Sequence, residues 1–153
     1  IGTTNVLRTG KKSLAASTLL FDVLKGYSSI VISYEYFNEL VYLSALICFI
    51  GHIFPIWLKF KGGKGVATYL GIILGISFVL GAVFVVVWLL TAIIFRYSSL
   101  SSIFSSMVIF FYSIFTSNEI QNYFLFIMFV IIIFTHKENI VRLKNSKESK
   151  IKL

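Results

Sequence analysis

The sequence predicts an all-α fold of membrane-spanning helices, and three observations carry this prediction. Hydrophobic residues make up 58% of the chain and charged residues only 13%, about half of the charged share of a soluble domain. Several apolar runs are long enough to cross a hydrocarbon core of about 30 Å. The sequence lacks the short stretches of alternating polarity, about ten residues each, that are typical of a membrane β-barrel. We therefore expect a polytopic transmembrane helical bundle.

Five nearly uncharged runs are candidate spans, at residues 13–33, 40–58, 66–95, 99–117 and 120–135. The third run would form a helix of about 45 Å at 1.5 Å per residue, which is too long for one untilted crossing. We expect it to form two short helices that turn near Gly81. Gly71 and Gly75 then lie in the first of these helices, and the chain has about six spans.

The placement of the basic residues supports this count. The fourteen Lys and Arg residues fall in four groups, within 8–25, 59–64, 96 and 137–152. The positive-inside rule places all of them in the cytoplasm only if the third run crosses twice. The net charge of +8 also has a simpler interpretation, as an ordinary topology signal with attraction to anionic lipid.

Several classes of chemistry lack the residues they need. Cys48 has no partner for an internal disulfide. The sole Cys lies within an apolar run, which argues against a thiol enzyme. The sequence shows neither a zinc or iron ligand set nor paired carboxylates, which argues against a metal site and a glycosidase. We therefore expect no metal, no cofactor and no nucleic-acid partner.

Two polar groupings precede or interrupt the first apolar run. The segment "TTNVLRTGKK" at residues 3–12 combines hydroxyls, an amide and Arg8 at a helix entrance, which suits a phosphate. A solvated loop explains it equally well. In "FDVLKG", Asp22 and Lys25 share a helix face at i, i+3. Charges at membrane depth are typical of a site, and a structural ion pair at the interface is the alternative.

The third grouping, "GHIFPIWLKFKGGKGVAT" at residues 51–68, is the most informative. Its glycines leave the backbone free to turn N–H groups toward an anion, and its lysines add positive charge. The residues concerned are Lys61, Gly62, Gly63, Lys64 and Gly65. A phosphate-binding loop is predicted, although the segment does not match the Walker pattern G-x-x-x-x-G-K-[ST]. A flexible basic hairpin is the alternative, and His52 is either a packing residue or an acid or base.

Two further groupings lie on the same predicted side. "RYSSLSSI" at residues 96–103 offers a Ser cluster that either allows close helix packing or contributes to a ligand site. In "THKENIVRLKNSKESKIKL", His136, Asn139 and Arg142 recur every three residues and share one helix face; a plain basic tail is the alternative. Together the five groupings predict a site for phosphorylated compounds at the cytoplasmic face.

These segments resemble, in the same order, those of the bacterial acyl-phosphate-dependent glycerol-3-phosphate acyltransferases. "TNVLR" is similar to the end of that family's first motif, "GHIFPIWLKFKGGKGVAT" to its second and "HKENIVRLKNSKESKI" to its third. The resemblance implies a small multi-pass enzyme of the bacterial inner membrane, with its active site at the cytoplasmic face. Such an enzyme contacts membrane lipid, and we expect it to be a monomer. Its substrates would be acyl phosphate and glycerol 3-phosphate, and its product lysophosphatidic acid, in the first step of phospholipid synthesis.

The resemblance also implies roles for particular residues. Substrate contacts would come from Thr4, Asn5 and Arg8, the phosphate loop from His52, Gly62, Gly63, Lys64 and Gly65, the pocket wall from Ser99 and Ser102, and the third motif from His136, Asn139, Arg142 and Glu148. For direct acyl transfer, Lys64 and Arg142 are the expected charge stabilisers, and His136 or His52 the expected proton acceptor.

Two departures from the family pattern bear on these expectations. The family has Gly where Ser146 stands. Its members also begin with another span and a Gly-Ser-Gly-Asn stretch, so we expect residues 1–153 to form a single membrane domain that lacks the first of seven spans. Residues 136–153 would be its basic cytoplasmic tail.

A transporter of phosphorylated metabolites and an inactive truncated remnant are the alternative functions.

Overall fold

The computed structural model describes Gly2, Val6 and residues 10–151, and every regular element within them is helical. The α-helices are α1 Lys12–Tyr36, α2 Val41–Ile53, α3 Val66–Ile76, α4 Phe78–Phe95, α5 Ser98–Thr116, α6 Glu119–Thr135 and α7 Lys137–Lys144. Short 3₁₀ turns at Asn38–Leu40 and Ile56–Leu58 flank α2. The predicted all-α class is confirmed.

The structure has fewer helices that can cross a membrane than the sequence predicted. Four stretches are long and apolar enough, namely Lys12–Tyr36, Asn38–Leu58, Phe78–Phe95 and Ser98–Thr116. Helices α6 and α7 meet at a bend of 59° and add a fifth if they count as one span. Helix α3 has only 11 residues, which is about 17 Å at 1.5 Å per residue and well short of the hydrocarbon core. The described residues thus contain four or five candidate spans, and the count of six is not confirmed.

The break in the third apolar run lies at Ser77, not near Gly81 as predicted. Ser77 is extended, with φ −156° and ψ 123°, and ends α3. Gly81 already lies within α4 and donates its N–H to the carbonyl of Ser77 at 3.2 Å. A Cβ on Gly81 would overlap the side chain of Leu74. The glycine therefore serves close packing and not the turn.

The first compact unit, Ile1–Gly81, is organised by close contact between α1 and α3. A Cβ on Gly71 would overlap the carbonyl oxygen of Val23, and one on Gly26 would overlap the carbonyl oxygen of Thr68. Small residues that let two backbones touch are a common means of helix association in membranes. The buried apolar side chains of this unit include Ile30, Val41, Ala45, Phe49, Ile53, Tyr69, Ile72 and Ile73.

In the second compact unit, Ala82–Leu153, α5 packs against α6 and carries several buried serines. The hydroxyls of Ser101, Ser105, Ser106 and Ser113 donate to carbonyls three or four residues earlier in their own helix. These serines are buried yet satisfied, so the Ser-rich face acts mainly as a packing surface. The buried apolar side chains beside it include Ile109, Leu125, Met128 and Ile132.

Replacing Gly71 by Ala should destabilise the first unit by about 1–3 kcal/mol, because the new methyl group meets backbone that cannot move aside. Gly51 is the matched control. It also lies in a helix, and a Cβ there would meet nothing within 4 Å. Gly51→Ala should therefore be neutral or stabilising, by up to about 1 kcal/mol. Thermal unfolding of the two variants in the same detergent tests this, and equal unfolding temperatures would contradict the proposed packing.

Candidate active site

Lys25 links Asp22 and His52 into one cluster, where the middle of α1 meets the C-terminal end of α2. The Lys25 Nζ lies 2.6 Å from Asp22 Oδ1 and 2.6 Å from His52 Nδ1. The side chains of Asp22 and His52 are 12% and 8% exposed. Since an ammonium group can only donate, His52 Nδ1 accepts, and the proton of the neutral ring lies on Nε2. The acceptor nitrogen of His52 is therefore already in use.

The glycine-rich segment folds back onto the end of α2. The N–H of Gly62 donates to the carbonyl of Ile53 at 3.0 Å, and that of Gly63 to the carbonyl of His52 at 3.3 Å. These bonds satisfy carbonyls that a helix end otherwise leaves unpaired. A Cβ on Gly63 would overlap His52 Nε2. In this structure both N–H groups are thus bonded to the end of α2, and the phosphate-binding role of Gly62 and Gly63 stays a prediction.

The remaining donors of this segment lie at the start of α3. Gly65 precedes the helix with φ 86°, a backbone conformation that glycine adopts without strain. The N–H groups of the first helical turn have no partner within the helix and carry partial positive charge. Lys64 is half-buried beside them, whereas Lys61 is exposed. If this segment holds a phosphate, the structure favours the start of α3 as the place.

A cleft of about 340 Å³ opens beside the Asp22 cluster. It is lined by Asp22, Lys25, Ile47, Cys48, Gly51, His52, Pro55, Trp57, Leu58 and Gly62. One part of its wall is charged, and the rest is apolar. Such a lining suits an amphiphilic ligand.

In the second unit, the carboxylate of Glu148 gathers three of the predicted site residues. Ser99 Oγ and Asn139 Nδ2 donate to Oε1 at 2.8 and 2.6 Å, and Arg142 Nε donates to Oε2 at 2.7 Å. The Glu148 side chain is only 5% exposed. Glu138 approaches Arg142 at 3.8 Å but is 79% exposed, so it adds little.

A Schellman turn at the end of α7 brings Glu148 to this position. The N–H of Ser146 donates to the carbonyl of Leu143 at 3.0 Å, and the N–H of Lys147 to the carbonyl of Arg142 at 2.7 Å. Ser146 has φ 54°, which costs a non-glycine residue about 1 kcal/mol. Glycine, which the family resemblance leads one to expect here, would relieve that strain.

His136 lies at the bend between α6 and α7 and is 2% exposed. Its Nδ1 is 2.8 Å from the carbonyl oxygen of Ile132. A carbonyl can only accept, so Nδ1 carries the proton and Nε2 is the acceptor nitrogen of the neutral ring. The two histidines therefore hold their protons on opposite nitrogens.

Comparison with known proteins decides the family. The family model described as glycerol-3-phosphate acyltransferase matches residues 1–146. The chain belongs to this family. A glycerol-3-phosphate acyltransferase of Pelagibacter ubique is 47% identical over all of this chain and 80% of its own length. One of Brucella anthropi is 48% identical over 99% of this chain and 75% of its own length.

Solved structures agree with this assignment. Two crystal structures of PlsY, an integral membrane glycerol 3-phosphate acyltransferase, match with TM-scores of 0.92 and 0.93. The first, a lysophosphatidic acid form, is 31% identical over 97% of this chain and 78% of its own. The second, a glycerol 3-phosphate form, is 29% identical over 99% and 78%. This glycerol-3-phosphate acyltransferase is thus a multi-pass membrane protein, as its sequence predicted.

Some acyltransferase residues predicted from the motifs stand apart from these clusters. Ser102 accepts a hydrogen bond from Trp88 Nε1 at 3.1 Å and donates to a carbonyl of its own helix, so it packs against α4 and not against Glu148. The residues Thr4, Asn5 and Arg8 lie outside the described part of the chain. Their proposed substrate contacts stay predictions.

Sequence reasoning treated Arg96 only as a topology charge and missed its contact. Its Nε and Nη2 lie 3.2 and 3.1 Å from the carbonyl oxygen of Ile151. A hydrogen bond to a backbone carbonyl far along the chain leaves no sequence pattern, so no signal in the chain points to this role.

The pKa of Glu148 reflects its partners more than its burial. Burial alone would raise it, but hydrogen bonds from Asn139, Arg142 and Ser99, with the charge of Arg142, bring the pKa below its usual range. A carboxyl whose folded pKa is depressed stabilises the protein above its unfolded pKa. That contribution is lost as the pH falls through the folded value.

Replacing Glu148 by Gln should lower the stability of this acyltransferase at neutral pH by about 1–3 kcal/mol, because an amide nitrogen cannot accept from Arg142. The difference from the parent should shrink as the pH falls to about 3, below the usual carboxyl range. Unfolding temperatures measured across this range test the prediction. Glu138→Gln is the exposed control and should change little. A difference independent of pH would show that the Glu148 charge is not responsible.

Proposed function

We propose that this chain moves an acyl group from acyl phosphate to glycerol 3-phosphate, giving lysophosphatidic acid and inorganic phosphate. The observation that carries the proposal is the close similarity, over nearly the whole chain, to PlsY in its glycerol 3-phosphate form and in its lysophosphatidic acid form. Relatives that share nearly half of the residues bear the same acyltransferase name. Acyl phosphate as the donor fits this family.

The reaction needs little beyond positioning and charge. A hydroxyl oxygen of glycerol 3-phosphate bonds to the acyl carbonyl carbon, the bond from that carbon to the phosphate oxygen breaks, and phosphate departs with the electron pair. The acyl group is already activated, so cations near the developing oxyanion and the leaving phosphate supply the main stabilisation. Lys64 beside the start of α3, and Arg142 at the end of α7, are the proposed cations. No acyl-enzyme intermediate is needed.

We propose His136 as the base that takes the hydroxyl proton, as the family resemblance suggests. Its Nδ1–H is bonded to the Ile132 carbonyl, so the lone pair of the neutral ring lies on Nε2. The corresponding lone pair of His52 accepts from Lys25. In this proposal His52 holds Lys25 and the glycine-rich segment in place, and Asp22 neutralises Lys25.

We infer that the enzyme lies in the bacterial inner membrane with its phosphate-handling residues facing the cytoplasm. The exposed cations at Lys59 and Lys61 and those of the tail support this orientation through the positive-inside rule. We also propose a monomer as the working unit. A cysteine placed at Lys61 in a Cys48→Ser background should react with a membrane-impermeant maleimide only from the cytoplasmic side.

An acyl-transfer assay with purified protein in lipid, acyl phosphate and labelled glycerol 3-phosphate tests the function. The parent chain should form labelled lysophosphatidic acid. Lys64→Met and His136→Asn should each lower kcat by about 10²-fold or more, since each removes a group that acts in the transition state. Lys144→Gln removes an exposed cation without a described contact and should leave kcat nearly unchanged.

Other outcomes of this assay would point elsewhere. Acyl label trapped on the protein would contradict direct transfer. Passage of glycerol 3-phosphate across the membrane without product would support the transport alternative, and neither flux nor product would support the inactive remnant. If His136→Asn keeps its rate while His52→Asn loses it, the assignment of the base is wrong.

A further inference from the structure

We propose that Arg96 is a positioning residue that latches the C-terminal strap, residues 145–151, so that Glu148 can hold Asn139 and Arg142. The proposal rests on the proposed function, because it assigns those two side chains to the reacting site. Arg96 itself does not touch substrate in this scheme. It acts through the strap.

The latch is a reciprocal contact between Arg96 and Ile151. The guanidinium donates twice to the Ile151 carbonyl, through Nε at 3.2 Å and Nη2 at 3.1 Å. The N–H of Ile151 donates back to the Arg96 carbonyl at 2.7 Å. Arg96 has φ 64°, a conformation that a non-glycine residue adopts only when its surroundings stabilise it. Next to this contact, the Lys150 ammonium lies 5.8 Å from the centre of the Tyr97 ring.

The latch and the Schellman turn enclose a very short stretch of chain. The turn ends at Lys147, and the latch holds Ile151, so Glu148 is one of three residues between two fixed points. Ser99, on the first turn of α5 just after Arg96, donates to Glu148 at 2.8 Å. The strap is thus held at the α4–α5 junction, and the Glu148 carboxylate contacts α7 from this position.

This arrangement gives Arg96 a consequence for the site. Without the latch, the strap loses the three hydrogen bonds that join Ile151 to Arg96, and Glu148 is held less firmly in place. Asn139 and Arg142 then lose a charged partner at 2.6 and 2.7 Å. Small displacements of a charged group that acts in the transition state are enough to lower a rate by an order of magnitude or more.

The alternative role of Arg96 is a topology charge alone, and lysine separates the two roles. Arg96→Lys keeps the positive charge that the positive-inside rule uses. It loses the planar fork that donates twice to one acceptor. A pure topology role therefore predicts parent behaviour for Arg96→Lys, whereas the latch predicts a defect.

The test combines Arg96→Lys with two changes at Ile151. Ile151→Pro removes the N–H that bonds to the Arg96 carbonyl without altering Arg96, and Ile151→Ala keeps both backbone groups. In the acyl-transfer assay, Arg96→Lys and Ile151→Pro should lower kcat at least about tenfold, with KM for glycerol 3-phosphate changed less than about twofold. Ile151→Ala should match the parent. A parent-like kcat for Arg96→Lys and Ile151→Pro would overturn the proposal.

Coupling to Glu148 shows whether the effect passes through the strap. In a Glu148→Gln background the Glu148 carboxylate is already absent, so adding Arg96→Lys should lower kcat little further. Multiplicative losses in the double variant would mean that Arg96 acts independently of Glu148, and the proposal would fail.

Limited trypsin digestion of the protein in lipid measures the latch without any catalysis. Cleavage after Lys147 and Lys150 should be several-fold faster in Arg96→Lys and Ile151→Pro than in the parent and Ile151→Ala. A strap released from Arg96 can adopt the extended conformation that a protease active site binds. Unchanged cleavage would overturn the latch even if acyl transfer occurs. Faster cleavage in a chain without acyl transfer would instead contradict the proposed function and leave the latch standing.

Discussion

A buried polar group must find a partner, and this requirement shapes both units of the protein. The penalty for leaving such a group unpaired is larger than the net gain of most single contacts. Glu148 meets the requirement by accepting from Ser99, Asn139 and Arg142. The Asp22, Lys25 and His52 cluster meets it within the first unit. The positions of the predicted site residues follow from these pairings.

The same requirement separates the two histidines. Each ring has one nitrogen bonded to a fixed neighbour, but the neighbours are of opposite kind. The Ile132 carbonyl must accept from His136, whereas the Lys25 ammonium must donate to His52. The lone pair of the neutral ring therefore lies on Nε2 in His136 and on Nδ1 in His52. The residue type alone does not reveal this difference.

Glycine has two distinct uses in the loop and helix segments of this chain. At Gly71 and Gly63 a side chain would collide with a carbonyl or an imidazole. At Gly65 the backbone needs a positive φ. Ser146 also has a positive φ and adopts it as a strained residue, which is tolerated because the turn places Glu148. Strained backbone that positions a charged side chain is common near functional sites.

The sequence by itself determined the all-α membrane class and the family. Hydropathy and helical periodicity act over neighbouring residues, so a linear chain displays them. The tertiary structure alone decided the break at Ser77, the use of the Gly62 and Gly63 N–H groups, and the contacts of Glu148 and Arg96. These depend on which carbonyl or carboxylate lies nearby after folding. Hydrogen bonds between residues as distant as Arg96 and Ile151 leave no periodic trace in the chain.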